Sequence, residues 1–229
     1  MGGRSMSVKG QTIELTSGDG AVIDCYHVEP SGARKGGLVL IMEIFGVTNH
    51  IKEMCDRFAD DGYEVLSPAL YDRQEKNFEV GYATDDIELA LKLRAKNTYE
   101  NTVLDSQMCI DYLKGKGAVF ITGYCYGGTV VWLAACRCTS LAAAAGYYGG
   151  AIKDFINEKP GCPVILHFGE HDKSIPMDDV QRIKQAHPDV PIYIYDAGHG
   201  FNSDRRADYN EAAASLGRER TLTLFAVHG

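Results

Sequence analysis

Residues 118–136 read AVFITGYCYGGTVVWLAAC. The strand-like AVFIT runs into Gly123, and an apolar helical run begins at about Gly127. Only a tight turn fits between them, and its pattern is G-x-C-x-G. With serine at the centre this is the nucleophile elbow, a turn so sharp that the central residue takes unfavourable backbone angles. Side chains at Gly123 or Gly127 would collide with neighbouring backbone. The turn lifts Cys125 above the sheet and aims the unpaired first amides of the next helix at its sulfur, which favours the thiolate. Taken alone, the pentapeptide also fits a buried cysteine in a glycine-rich turn.

Working outward, the same strand-then-helix rhythm repeats. GLVLIMEI (37–44) is a continuous apolar run, as expected of a strand covered on both faces. Ile51, Met54, Cys55, Phe58 and Ala59 follow at helical spacing, and Gly62 stops that helix. Strands are predicted at YEVLSPAL (63–70), LAAAAGYY (141–148), PVILHFG (163–169) and PIYIYD (191–196), with helices near 99–114, 177–187 and 206–226. QTIELT (11–16) and AVIDCYHV (21–28), split by SGDG, alternate and read as an antiparallel hairpin. The fold class is therefore α/β, a mainly parallel sheet flanked by helices behind an N-terminal antiparallel hairpin. One domain is expected over 7–229. Residues 1–6 read as a cloning remnant or a disordered start, and no N-terminal segment reads as a signal peptide. The excursion 72–98 either completes a crossover with a surface helix or forms a partial lid, with Phe78 and Tyr82 facing substrate.

Ligands in such sheets bind beyond the carboxyl ends of strands. A nucleophile needs a base, and the base needs an orienting acid. Asp172 follows PVILHFG, and His199 follows PIYIYD in a glycine-flanked loop. The order nucleophile, acid, histidine is that of the α/β-hydrolase architecture. Glu170 and His171 are rivals, because a one-residue shift would change which side chain points inward. Oxyanion donors are expected from the backbone N–H of Tyr126 and of Ile44 or Phe45. Glu43 ends an apolar strand, and burying it alone would be costly. It either reaches solvent or stands beside the Cys125 sulfur.

The bulk numbers agree with a soluble globular protein. The 229 residues carry a formal charge of −8 without a basic stripe, which argues against nucleic acid. No run approaches a membrane span. The odd count of 7 cysteines fits a reducing, cytoplasmic setting better than a disulfide framework. Cys136 and Cys138 lack partner ligands for a metal, and no organic cofactor or metal is called for. A thiolate attacks readily but also leaves readily, which favours activated acyl groups over amides, so a Cys125 nucleophile implies a small-molecule ester or lactone as partner; the expected state is a monomer or small homo-oligomer. A thiol-based sensor or ligand-binding module on a hydrolase scaffold is the alternative.

MEIFGVTNHIKEMCDRFADDGYEVLSPALYDR, GYCYGG, GYYGG, FGEHD and AGHGF together resemble the dienelactone hydrolase (carboxymethylenebutenolidase) family. The similarity runs from about residue 12 to the C-terminal helix. It implies an α/β-hydrolase domain with Cys125 as nucleophile, Asp172 as acid, His199 as base and Glu43 as the glutamate that activates the resting thiol. It also implies Tyr147 as a pocket wall, and Phe45 and Phe201 are grouped with it as substrate-binding residues. The family's substrate-holding arginine and tyrosine fall near Ile87 and Leu91 here. Its later arginine is not matched at the same offset; Arg205 and Arg206 come slightly later.

Overall fold

A computed structural model describes residues 9–229, so the expected cloning remnant lies outside the described residues. Eight strands form one sheet in the order β1-β2-β4-β3-β5-β6-β7-β8. The hairpin is β1 (Gln11–Thr16) with β2 (Val22–Val28), and β2 also runs antiparallel to β4 (Tyr63–Pro68). The other pairings, through β3 (Gly36–Ile41), β5 (Val119–Tyr124), β6 (Ala143–Tyr147), β7 (Val164–Gly169) and β8 (Ile192–Tyr195), are parallel.

Helices α1 (Asn49–Asp60), α2 (Thr84–Arg94), α3 (Tyr99–Leu113), α4 (Tyr126–Arg137), α5 (Met177–Ala186) and α6 (Glu211–His228) supply the connections and cover the sheet. Every residue of β3 through β7 is buried, which explains why those strands read as unbroken apolar runs rather than alternating ones. Trp132, Phe120, Phe168 and Phe225 are fully buried between sheet and helices. Each such side chain contributes roughly 1.5–3 kcal/mol of burial free energy. Among the described residues, no helix is long and apolar enough to cross a membrane.

Two of the boundaries that differ from the sequence expectation lie beside the site. β3 stops at Ile41, and the chain turns at Ile44 and Phe45, which line a cavity. The last helix starts at Glu211 rather than 206, where Asn210 caps it by accepting from the Ala213 amide at 3.0 Å. Residues 200–210 are thereby freed to form a turn-rich loop after His199.

Charge buried far from the site is paired. Glu64 on β4 is fully buried and meets Lys116 at 2.8 Å, Arg34 at 2.7 Å and His27 at 3.2 Å. Burial alone would raise its carboxyl; Lys116, Arg34 and His27 outweigh that and hold it below its ordinary value.

Candidate active site

The elbow forms at the expected place. β5 ends at Tyr124, α4 begins at Tyr126, and Cys125 between them sits at φ 56° and ψ −115°. A residue with a side chain takes such angles only where its surroundings hold it there. The Cys125 amide donates to the Tyr147 carbonyl at 3.0 Å, and its carbonyl accepts from Gly128 at 2.9 Å. A Cβ at Gly127 would lie 2.6 Å from the carbonyl oxygens of Ile41 and Met42. Glycine is therefore what lets α4 press against the end of β3. Cys125 remains half-buried and opens onto a cavity of about 350 Å³.

Two further strand ends bring their side chains to this sulfur. His199 Nε2 lies 3.2 Å from Cys125 Sγ, and His199 Nδ1 lies 2.6 Å from Asp172 Oδ2. The other Asp172 oxygen accepts from the amides of Ser174 and Ile175 at 2.8 and 3.2 Å. Both oxygens of this buried carboxylate are thus engaged, and its orientation is fixed. The rivals turn away: His171 pairs with Asp196 on the surface, and Glu170 is exposed. Burial alone would push the His199 imidazole down, but its bonds to Asp172 and Cys125 prevail and push it up to about 10.

Glu43 is buried at 1% exposure. Oε2 accepts from the Tyr82 hydroxyl at 3.3 Å, and Arg206 Nη1 stands 3.7 Å from Oε1. Burial raises its carboxyl, and Arg206, His199 and Tyr82 only partly offset this. Its bonded partner is thus Tyr82, and the thiol's partner is His199. Ile44, Phe45 and Tyr126 all line the cavity beside Cys125. Among the described residues, the Ile44 amide donates to no backbone or side-chain acceptor, as an oxyanion donor requires.

The remaining wall only partly matches expectation. Ile87 and Leu91 on α2 line the cavity, so part of the 72–98 excursion is a wall. Tyr147 does not: its hydroxyl meets Thr221 at 2.7 Å and its ring stacks on buried His167. Its neighbour Tyr148 lines the cavity instead, because consecutive strand residues face opposite sides and Tyr148 sits at φ 38°. Phe201 is fully buried behind Tyr148, and Phe78 packs on Tyr71. Neither they nor Tyr82 line the cavity.

Arg94, Tyr99, Ile175 and Arg206 line it without having been singled out for it by spacing. Arg94 donates to the Tyr99 hydroxyl at 2.5 Å and lies over the rings of Tyr99 and Tyr126. It makes no ion pair among the described residues. Arg206 reaches the cavity despite its late position because the intervening loop folds back through turns. Arg205 points outward onto Glu53.

The family model for dienelactone hydrolases matches residues 23–229. The chain belongs to the dienelactone hydrolase family. A Salmonella typhimurium relative named "Putative carboxymethylenebutenolidase" is 34% identical over 89% of this chain and 82% of its own. A Synechocystis protein of the same name is 33% identical over 82% of this chain and 84% of its own. A crystal structure titled "Putative Dienelactone Hydrolase", from Klebsiella pneumoniae, superposes with a TM-score of 0.85 at 29% identity. It covers 96% of this chain and 99% of that one. Membership in the dienelactone hydrolase family makes the chain a hydrolase of the carboxylic-ester class.

Proposed function

We propose that this hydrolase cleaves activated esters and lactones through a thioester on Cys125. The observation that carries the reading is the chain of contacts from Cys125 to His199 to Asp172, opening onto one cavity. The Cys125 thiolate adds to the substrate carbonyl, forming a C–S bond and placing the negative charge on oxygen. Amides of Ile44 and Tyr126 receive that oxyanion. As the tetrahedral species collapses, the C–O bond breaks and imidazolium His199 gives its proton to the leaving alkoxide. His199 then takes a proton from water, hydroxide adds to the thioester, and the thiolate departs. Asp172 holds the ring and balances its positive form throughout. A thiolate is a good leaving group, so acyl groups with good leaving groups of their own are favoured over amides.

The cavity also bears on the substrate. Its walls are apolar at Ile87, Leu91, Ile175 and Tyr148. Arg206 is partly compensated by Glu43, whereas Arg94 has no acidic partner among the described residues. A substrate with an apolar body and a remote carboxylate suits this surface, since a guanidinium with weak hydration pairs well with a carboxylate.

The test is an activated aryl ester given to wild type, Cys125→Ser and Cys125→Ala, with mass spectrometry of the quenched protein. Wild type should show an acyl mass on the Cys125 peptide and turn over. Cys125→Ala should lose both. An alanine variant at wild-type rate overturns the mechanism. Iodoacetamide labelling of Cys125 without ester turnover by wild type would favour the sensor reading instead.

A further inference from the structure

Segment 77–82 crosses the catalytic end of the sheet before α2 begins. It opens at Asn77, which sits at φ 59°. It is stitched to the loop that carries Ile44 and Phe45. The Val80 amide donates to the Phe45 carbonyl at 3.1 Å, Glu79 forms a single β-bridge with Gly46, and Lys52 reaches Glu79 at 2.6 Å.

Tyr82 closes this strap. Its ring packs edge-on against Phe45, with centroids 4.6 Å apart. Its hydroxyl donates to Glu43 and also faces the hydroxyls of Thr48 and Ser203. One side chain therefore touches the end of β3, the loop before α1 and the loop after His199. Those hydroxyls are themselves buried without a bonded protein partner, as is Glu43 Oε1, so Tyr82 supplies the only protein hydrogen bond to this carboxylate among the described residues.

We propose that Tyr82 is a positioning residue for the hydrolytic reaction, fixing Glu43 through its hydroxyl and the Phe45 loop through its ring. The inference rests on the thioester reading above and concerns a residue outside the cavity wall. The hydroxyl stabilises the charged form of Glu43, because a donor aimed at a carboxylate favours ionisation, and charged Glu43 in turn favours the imidazolium form of His199 that the proposed acylation step uses. The charged or titratable groups facing Glu43 are Arg206 and His199 from the loop after β8, Tyr82 from the strap, Tyr148 after β6 and Tyr124 at the end of β5. Of these, only Tyr82 donates a hydrogen bond within 3.5 Å. The ring holds Phe45, whose loop presents the Ile44 amide; loosening it moves an oxyanion donor and lowers kcat.

The two parts separate by mutation. Tyr82→Phe keeps the ring and removes the hydroxyl. It should leave KM within about twofold, lower kcat by roughly tenfold, and move the acid limb of the pH–rate profile upward by about one unit. Tyr82→Leu also removes the ring and should cost about another tenfold in kcat. In a Glu43→Gln background, Tyr82→Phe should change kcat by less than about twofold, because the group it acts through no longer titrates. If the leucine variant does not fold, 3-fluorotyrosine at position 82 serves as the second probe. It keeps shape, strengthens the donor and should move the acid limb downward. A Tyr82→Phe enzyme with wild-type kcat and an unmoved acid limb overturns the proposal, and so does a loss that persists undiminished in Glu43→Gln. Acylation of Cys125 in the wild type is measured independently, so failure here is distinct from failure of the thioester reading.

Discussion

His199 Nε2 lies 3.2 Å from the Cys125 sulfur, on the side of the imidazole opposite the nitrogen that Asp172 engages. This contact, with that to Asp172, overcomes the effect of burial and lifts the imidazole to about 10 from an ordinary 6.5. A group raised in this way stays protonated through neutral pH and loses its proton as pH rises through about 10. The proposed acylation step needs that proton. The alkaline limb of kcat/KM should therefore fall near pH 10. Asp172→Asn should pull the limb toward neutrality and lower kcat by roughly 10²–10⁴. A pH–rate profile of both proteins, corrected for spontaneous hydrolysis, checks this; coincident alkaline limbs would contradict it.

Arg94 sets the second expectation. Paired aryl esters that differ only in a terminal carboxylate or its methyl ester should be distinguished by the wild type in favour of the acid. Arg94→Leu should lower kcat/KM on the acid by about 10–100-fold. It should leave the neutral ester within about threefold. Equal losses on both esters would mean that Arg94 acts by packing against Tyr99 and Tyr126 alone.

Gly46 offers a stability test. It sits at φ +91°, and a Cβ there would lie 2.0 Å from the Phe78 carbonyl oxygen. Gly46→Ala should cost about 2–4 kcal/mol in urea unfolding, since both backbone strain and a collision with fixed backbone arise. Gly115 has open space around it and serves as control. Gly115→Ala should change stability by no more than about 0.5 kcal/mol. Similar unfolding midpoints for the two variants would show that the strap yields easily.

The adjacent arginines should behave as opposites. Arg206 lines the cavity and faces Glu43, so Arg206→Ala should lower kcat/KM by about tenfold or more. Arg205 instead holds Glu53 on α1 with two contacts at 2.8 and 2.9 Å, at a half-exposed position. Arg205→Ala should lower stability by about 1–3 kcal/mol, because it leaves the buried Glu53 carboxylate without its partner, and should slow turnover no more than about threefold. Steady-state kinetics with thermal melts on both variants would separate the two roles.

Much of the architecture was legible because it depends on local rules. Unbroken apolar runs meant strands covered on both faces, and the order of turn signals placed Cys125, Asp172 and His199 just past strand ends. The glycines around Cys125 declared a close approach that the carbonyls of Ile41 and Met42 now explain. The cavity wall was much less legible. Whether Tyr147 or Tyr148 faces the site depends on how the chain leaves β6, and the unusual φ at Tyr148 has no sequence signal of its own. Arg94 is one more charged residue at the end of a helix until Tyr99 and Tyr126 are folded against it. Tyr82 was expected to face substrate; its place beside Glu43 is set by contacts across distant segments that no spacing encodes.

The turn after β8 points one guanidinium toward the catalytic hollow and its immediate neighbour out onto α1. Two neighbouring residues of the same type thus have separate tasks, one facing the buried Glu43 and the other tying the loop to Glu53 on α1. The family's arginine stands at another offset, so this loop can change length and still deliver one guanidinium to the hollow beside Cys125.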